Sequence, residues 1–201
     1  KSKFDYRIFP DLGFDQFKRL ILRNSGNDWK RAFMRDAVGH ELTARMGLDY
    51  QAWRPSIVYL NGRFWGIHNL RERIDSHYLA SRYGIDESEV DLVQNTVMAG
   101  DLLHWNKVIS FLATWNEITL DQRLYQLEEL VNVDNLIDYV IAEVFLANTD
   151  WPLNNVRKWR PRHANGKWQW IPYDLDGILG ILDQSPSEDT FLQQVLSFTH
   201  I

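Results

Sequence analysis

Residues 148–177 read NTDWPLNNVRKWRPRHANGKWQWIPYDLDG. A polar loop with a helix-stopping Pro152 comes first. Two strand-like runs follow, 156–163 and 167–173, joined by Asn165-Gly166, and then Asp174-Leu175-Asp176-Gly177. Asn-Gly between strands is the strongest short hairpin signal, because both residues accept the positive φ of a tight two-residue turn. Such a turn pairs Ala164 with Lys167, and the ladder then sets Asn155 opposite Asp176 and Arg157 opposite Asp174. Cross-strand neighbours stand roughly 4.5–5.5 Å apart. The polar loop is thereby expected beside the acid pair. Pro161 and Pro172 lie inside the strands, so a bulge would change the pairing without undoing the closeness.

Hard oxygen ligands gathered in this way suit Mg²⁺, which takes one or two carboxylates and leaves its other positions to water and phosphates. Asp150 remains to accept a hydroxyl proton. A loop Asp, an Asn five residues on (Asn155) and a later acid (Asp174 or Asp176) follow the protein-kinase solution to phosphoryl transfer. The D-x-x-x-x-N spacing alone is weak, since Asp and Asn crowd loops as Asx turns. The weight rests on the order helix, Asp loop, Asn, hairpin, Asp-x-Asp-Gly.

Upstream of this stretch the apolar period is helical. Helices are expected over 102–115 and 120–130, and a third is capped by Asp134 with Leu136, Ile137, Val140, Ile141, Val144 and Phe145 along it. Residues 189–198 read as a further, unfinished helix. The first half is richer in strands. One is expected over 15–23, a helix over 28–46, and two strands, 56–60 and 63–70, about Asn61-Gly62. Asp75 caps a short helix ending at Gly84, and 90–93 is a short strand. The order matches a kinase-like small lobe. Arg23 ends the strand in the place usually held by Lys, and Arg is a capable phosphate ligand. Asp36 and Glu41 are candidate acidic partners on the helix. A G-x-G-x-x-G loop is missing, so the phosphate cover lies upstream or Asn24-Ser25-Gly26-Asn27 supplies its N–H groups. The expected class is α+β, with a strand-rich part over about 1–74 and a mainly helical part over about 75–201.

Composition bounds the alternatives. The chain has 201 residues, 45% of them hydrophobic, enough for a core. Its net charge of −5 gives no basic footprint for nucleic acid. With no cysteine, disulfides, thiolate metal sites and a Cys nucleophile are excluded. The six His show no H-x-x-x-H spacing for a zinc site. No apolar run approaches the ~20 residues of a membrane helix. The abrupt termini read as those of a piece cut from a longer protein.

Four stretches, LILRNSGNDWKRAFMRDA (20–37), RPSIVYLNGRFWGIHNLRERID (54–75), NLIDYVIAEVFLANTDWPLNNVRKWR (135–160) and GKWQWIPYDLDG (166–177), resemble the CotH family of spore-coat kinase-like proteins, in its longer bacterial type. The resemblance runs over about 14–180. It implies a single domain with an atypical, two-lobed protein-kinase-like fold. It also implies ATP with a divalent metal, Mg²⁺ or Mn²⁺, and a protein substrate phosphorylated on serine (or threonine). Under it Asp150 is the catalytic Asp, Asn155 the loop Asn on metal, and Asp174 or Asp176 the metal-binding Asp. Glu72 falls at the hinge-like edge near the adenine, and Arg23 near the phosphates. Lys158 and Arg160 are candidates for the basic charge that other forms carry just after the catalytic Asp, against a plain strand-surface role. A secreted or surface location is the family type's expectation.

Two rival readings remain. A kinase-like scaffold could act without turnover as an adhesin or assembly module. Asp174-Leu175-Asp176 is also a D-x-D, the metal grip of many glycosyltransferases, but the chain lacks their alternating βαβ pattern.

Overall fold

The Asn61-Gly62 turn forms as read: both residues take positive φ, 51° and 77°, and strands β4 (Trp53–Leu60) and β5 (Arg63–Glu72) pair across it. The computed structural model describes residues 3–179, so the helix expected over 189–198 lies outside the described residues. The chain is a mixed α+β protein, with five α-helices among the described residues.

The strand expected over 15–23 is split into β2 (Gln16–Phe17) and β3 (Leu20–Arg23). β2 pairs with β1 (Phe4–Asp5), and β3 joins the hairpin in the order β3-β5-β4. Arg23 stands opposite Asn69, Ile21 opposite Arg71 and Leu20 opposite Glu72. Paired residues share a face and successive residues alternate, so Arg23 and Arg71 lie on one face and Glu72 on the other.

The following helix starts later than its apolar period suggests. Helix α1 runs Arg35–Arg45, not from residue 28. Asp28, 1% exposed, is the reason. Its carboxylate accepts the N–H groups of Ala32 and Arg35, both at 3.0 Å, and Ser25 Oγ donates to the Phe33 carbonyl at 2.6 Å. A buried side chain that satisfies these donors holds residues 28–34 in a tight knot, which competes with the helix.

Asp75 caps α2 (Ser76–Tyr83) through the N–H groups of His77 and Tyr78, and Gly84 closes it at φ 65°. β6 (Val90–Val93) then meets β7 (Val97–Ala99), a strand with no strong sequence signal. Helices α3 (Leu103–Ala113), α4 (Leu120–Leu130) and α5 (Val133–Phe145) follow. Thr119 and Gln122 form a reciprocal capping box at α4. The cap of α5 is Asn132, accepting from the Asn135 N–H, and not Asp134, which lies within the first turn.

The second Asn-Gly departs from its reading. β8 (Arg157–Pro161) and β9 (Gln169–Ile171) do pair, but Arg157 faces Ile171 and Trp159 faces Gln169. Neither Asn165 nor Gly166 takes a positive φ. Trp168 is drawn away instead. Its N–H donates to the Leu130 carbonyl, its carbonyl accepts from Asn132, and its indole is fully buried. The longer connection is held by Arg160, whose guanidinium donates to the Gly166 and His163 carbonyls.

The sheet order β7-β6-β8-β9 is covered by two apolar clusters. Trp168, Trp170, Tyr139, Ala142 and Trp151 pack with residues of α3 to α5, and Leu79, Val90, Leu92, Trp159 and Ile171 pack under α2. A third cluster, Leu146, Leu175 and Ile178, ties the end of α5 to the acidic stretch.

Candidate functional site

The expected pairing of Asn155 with Asp176 is replaced by a register three residues off, yet the loop and the acids still meet. Asn155 Nδ2 lies 3.4 Å from Asp150 Oδ2 and 3.4 Å from Asp174 Oδ2. Asn155 and Asp174 both take left-handed backbone, φ 60° and 58°, which turns their short side chains inward. Arg23 completes the group, donating to Asp174 Oδ1 and, at 3.0 Å, to Asp176 Oδ2. The structure thus brings together Asp150, Asn155, Asp174, Asp176 and Arg23.

Helix α1 sets the acid pair from behind. Asp36 Oδ1 accepts the Leu175 N–H at 2.6 Å, fixing the backbone between the two acids. Its other oxygen faces Arg23 Nε at 3.7 Å and pairs with Arg71. Of the two acids expected on this helix, Asp36 is the partner of Arg23, while Glu41 faces Arg45 on the surface. Gly39 permits the approach: a Cβ there would meet Leu175 Cδ1 at 2.7 Å and Ile178 Cδ1 at 2.8 Å.

Arg71 is a component that sequence reading missed. It is 1% exposed on the Arg23 face, and burial together with Arg23 pushes its guanidinium down to about 9. The only available signal was alternation, which puts Arg71 and not Glu72 on the side of Arg23. The loop 24–27 also differs from its expected use. The Asn27 N–H donates to Asp176 Oδ2 at 2.8 Å and the Gly26 N–H to Asn24 Oδ1 at 3.3 Å, so both are engaged within the chain.

Glu72 is placed elsewhere. It is 3% exposed, accepts the Ala52 N–H at 3.0 Å and pairs with Arg82, whose guanidinium lies over the Tyr50 and Tyr78 rings at 4.5 and 4.6 Å. Burial raises its carboxyl above the usual range, with Arg82 offsetting part of the rise. The cavity beside it, about 20 Å³, is too small for a nucleobase. A second cavity of about 270 Å³ opens at the start of α3, away from the acids. Lys158 lies over the Trp105 ring at 4.1 Å, and Arg160 is buried against Asp91.

Carboxylate and amide oxygens are the donor types a hard divalent cation takes. Asp176 Oδ1 is buried with no hydrogen-bond partner, an unmet acceptor beside the exposed edge of Asp174. Among the described residues no group of three or more His, Asp or Glu side chains is placed to hold a metal ion by itself. A cation here would take Asp174, Asp176 and Asn155, with water and substrate oxygens filling its shell.

Comparison with known families matches residues 1–198 to the family described as CotH kinase protein. A search of the curated proteins found no match.

Proposed function

This chain belongs to the CotH family, and we propose that it is an ATP-dependent protein kinase, using Mg²⁺ or Mn²⁺ to phosphorylate a Ser or Thr hydroxyl of a protein substrate. The observation that supports this reading is the meeting of Asp150, Asn155 and Asp174 within 3.4 Å contacts, backed by Arg23. The part up to residue 74 acts as the smaller of two lobes and the part from 75 to 179 as the larger, with the nucleotide between them.

Asp150, half-buried within the loop between α5 and β8, accepts the proton of the attacking hydroxyl. Asn155 holds the base and the acid pair at a set separation. Asp174 and Asp176 offer their oxygens to the cation, which when bound neutralises charge on the terminal phosphates. Arg23 leaves the acids and donates to the phosphates as they arrive. Glu72 lies on the face of β5 opposite Arg23, buried against Arg82, and is assigned no contact with the nucleotide. It holds the strand edge through Arg82 and Ala52.

Incubation with radiolabelled ATP, Mg²⁺ or Mn²⁺ and a serine-rich protein is the test. Asp150→Ala is expected to lose label transfer and to keep nucleotide binding by calorimetry. Labelling by Asp150→Ala at the wild-type rate ends the assignment. One observation favours a scaffold without turnover: Arg23 already pairs with both acids, so a cation has to break those pairs to bind. No heat on titrating ATP with Mg²⁺ into the protein supports that alternative.

A further inference from the structure

Glu143 is a buried carboxylate that the proposed chemistry does not use, and it is aimed at the loop that carries Asp150. It lies near the end of α5 and is 2% exposed. Its Oε2 accepts the Asn148 side-chain N–H at 2.7 Å. The same amide's Oδ1 accepts the Asp150 backbone N–H at 3.2 Å. Both partners agree on the orientation of the amide, since the carboxylate needs a donor and the N–H an acceptor. The Asn148 backbone also donates to the Glu143 carbonyl at 3.1 Å, with Ala147 at φ 49° turning the chain out of the helix.

The opposite flank of the loop is closed as tightly. Thr149 Oγ1 donates to the Gly177 carbonyl at 3.3 Å. A Cβ on Gly177 would stand 3.1 Å from Thr149 Oγ1, 3.3 Å from Asn148 Oδ1 and 3.9 Å from Asp150 Cγ. The loop is thus held between Glu143 on one side and the Asp-Leu-Asp-Gly stretch on the other.

We propose that Glu143 and Asn148 are positioning residues that set the direction of Asp150, with the Asn148 amide as the link between the core of α5 and the catalytic base. The inference rests on Asp150 being that base. A buried carboxylate is costly where an apolar residue would pack as well, and here its acceptor is spent on the loop amide. The groups that meet Glu143 are Asn148 from the loop and the Tyr139 hydroxyl from its own helix, with Trp151 packed on Tyr139. Burial raises the Glu143 carboxyl to about 7, and the Asn148 hydrogen bond offsets part of the rise. Ionised, it is a stronger acceptor for the Asn148 amide than when neutral, so the loop is held most firmly above that range.

The test uses the whole chain with two readouts. The first is the amide ¹⁵N and ¹H shift of Asp150 against pH. A wild-type step near 7 is expected, absent in E143Q, because glutamine keeps an acceptor but has no proton to lose. The second is phosphoryl transfer. E143A and N148A are expected to lower kcat about 10–100-fold, the scale of a misplaced group, with KM for ATP little changed. E143Q at pH 8 should recover most of the kcat lost in E143A. An Asp150 amide that titrates identically in E143Q, or an unchanged kcat in N148A, overturns the proposal. Should E143A fail to fold, E143Q and N148A carry the result. A wild type that transfers no phosphate, yet loses the Asp150 step in E143Q, keeps the positioning link and removes the kinase reading.

Discussion

Two clusters of buried charge stand on opposite faces of strand β5, and they are built on opposite principles. Around Glu72 the charge is paired one to one: Arg82 and the Ala52 N–H both meet its Oε2, and two tyrosine rings lie against the guanidinium. Around Arg23 the needs are left open. Two acids and Asp36 share Arg23 and Arg71, Asp176 Oδ1 has no hydrogen-bond partner, and the Asp174 side chain is 30% exposed. A charge paired one to one and covered by rings holds a fold together. The open cluster combines left-handed backbone at Asn155 and Asp174 with an unmet acceptor on Asp176, the pattern the proposed cation site needs.

This contrast breaks first at Asp150. Asp150→Ala should lower kcat by roughly 10²–10⁴, the usual contribution of a positioned base, and leave the urea midpoint nearly in place. A large loss of stability would put Asp150 in the structural class instead. Glu72→Ala is the mirror case. It strands Arg82 in a buried site and should cost about 3–5 kcal/mol in urea unfolding. Wild-type stability in that variant would show that the Arg82 pair does not hold the fold.

Glu143 tests whether a third buried acid belongs with either cluster. Its folded-state pKa of about 7 lies above the ordinary 4.5, so the folded chain binds the proton more tightly than the unfolded one. The sign follows. Stability is greatest below the ordinary value and falls as pH rises from there toward 7, by up to about 3 kcal/mol. Glu143→Gln should flatten that segment of the stability profile, measured by denaturant titration from pH 4 to 8. An unchanged slope would mean that the carboxyl is solvated. The smallest effect is expected at Gly26, in the open cluster. It has φ 53°, and a Cβ there would meet Asp176 Oδ2 at 2.2 Å. Gly26→Ala should cost about 1–2 kcal/mol from the left-handed backbone and weaken Mn²⁺ binding, read by electron paramagnetic resonance, as Asp176 is pushed aside. Intact Mn²⁺ affinity in a destabilised Gly26→Ala would detach Asp176 from the cation.

The two Asn-Gly pairs show where sequence reading holds and where it stops. At Asn61-Gly62 nothing packs within 4 Å of a Cβ on the glycine, so local turn preference is free to act. At Asn165-Gly166 the flanking Trp168 gains more by burial against Trp105 and the start of α5 than a tight turn gives, and the register moves by three. Gly166 serves packing instead, since a Cβ there would lie 1.9 Å from the Pro161 carbonyl. The same competition moved the start of α1 to Arg35, where buried Asp28 captures the N–H groups. The closeness of Asp150, Asn155 and Asp174 was legible, because a hairpin returns the chain to its starting end in either register. Arg71 was not, because its partner Asp36 lies far along the chain, and neither was the Glu143–Asn148 link, a side-chain bond that burial at the end of a helix selects and no apolar period announces.

Sequence alone determined the order of elements, the Asn61-Gly62 hairpin, the Asp75 cap and the residue types gathered in the Asp-rich loop and acid pair. These follow from interactions among residues a few positions apart. Tertiary structure decided the register of β8 on β9, the face on which Glu72 lies, and the partners of Asp36. Those depend on which large side chains win the core and which buried polar groups find a donor, and neither is a property of any short stretch of chain.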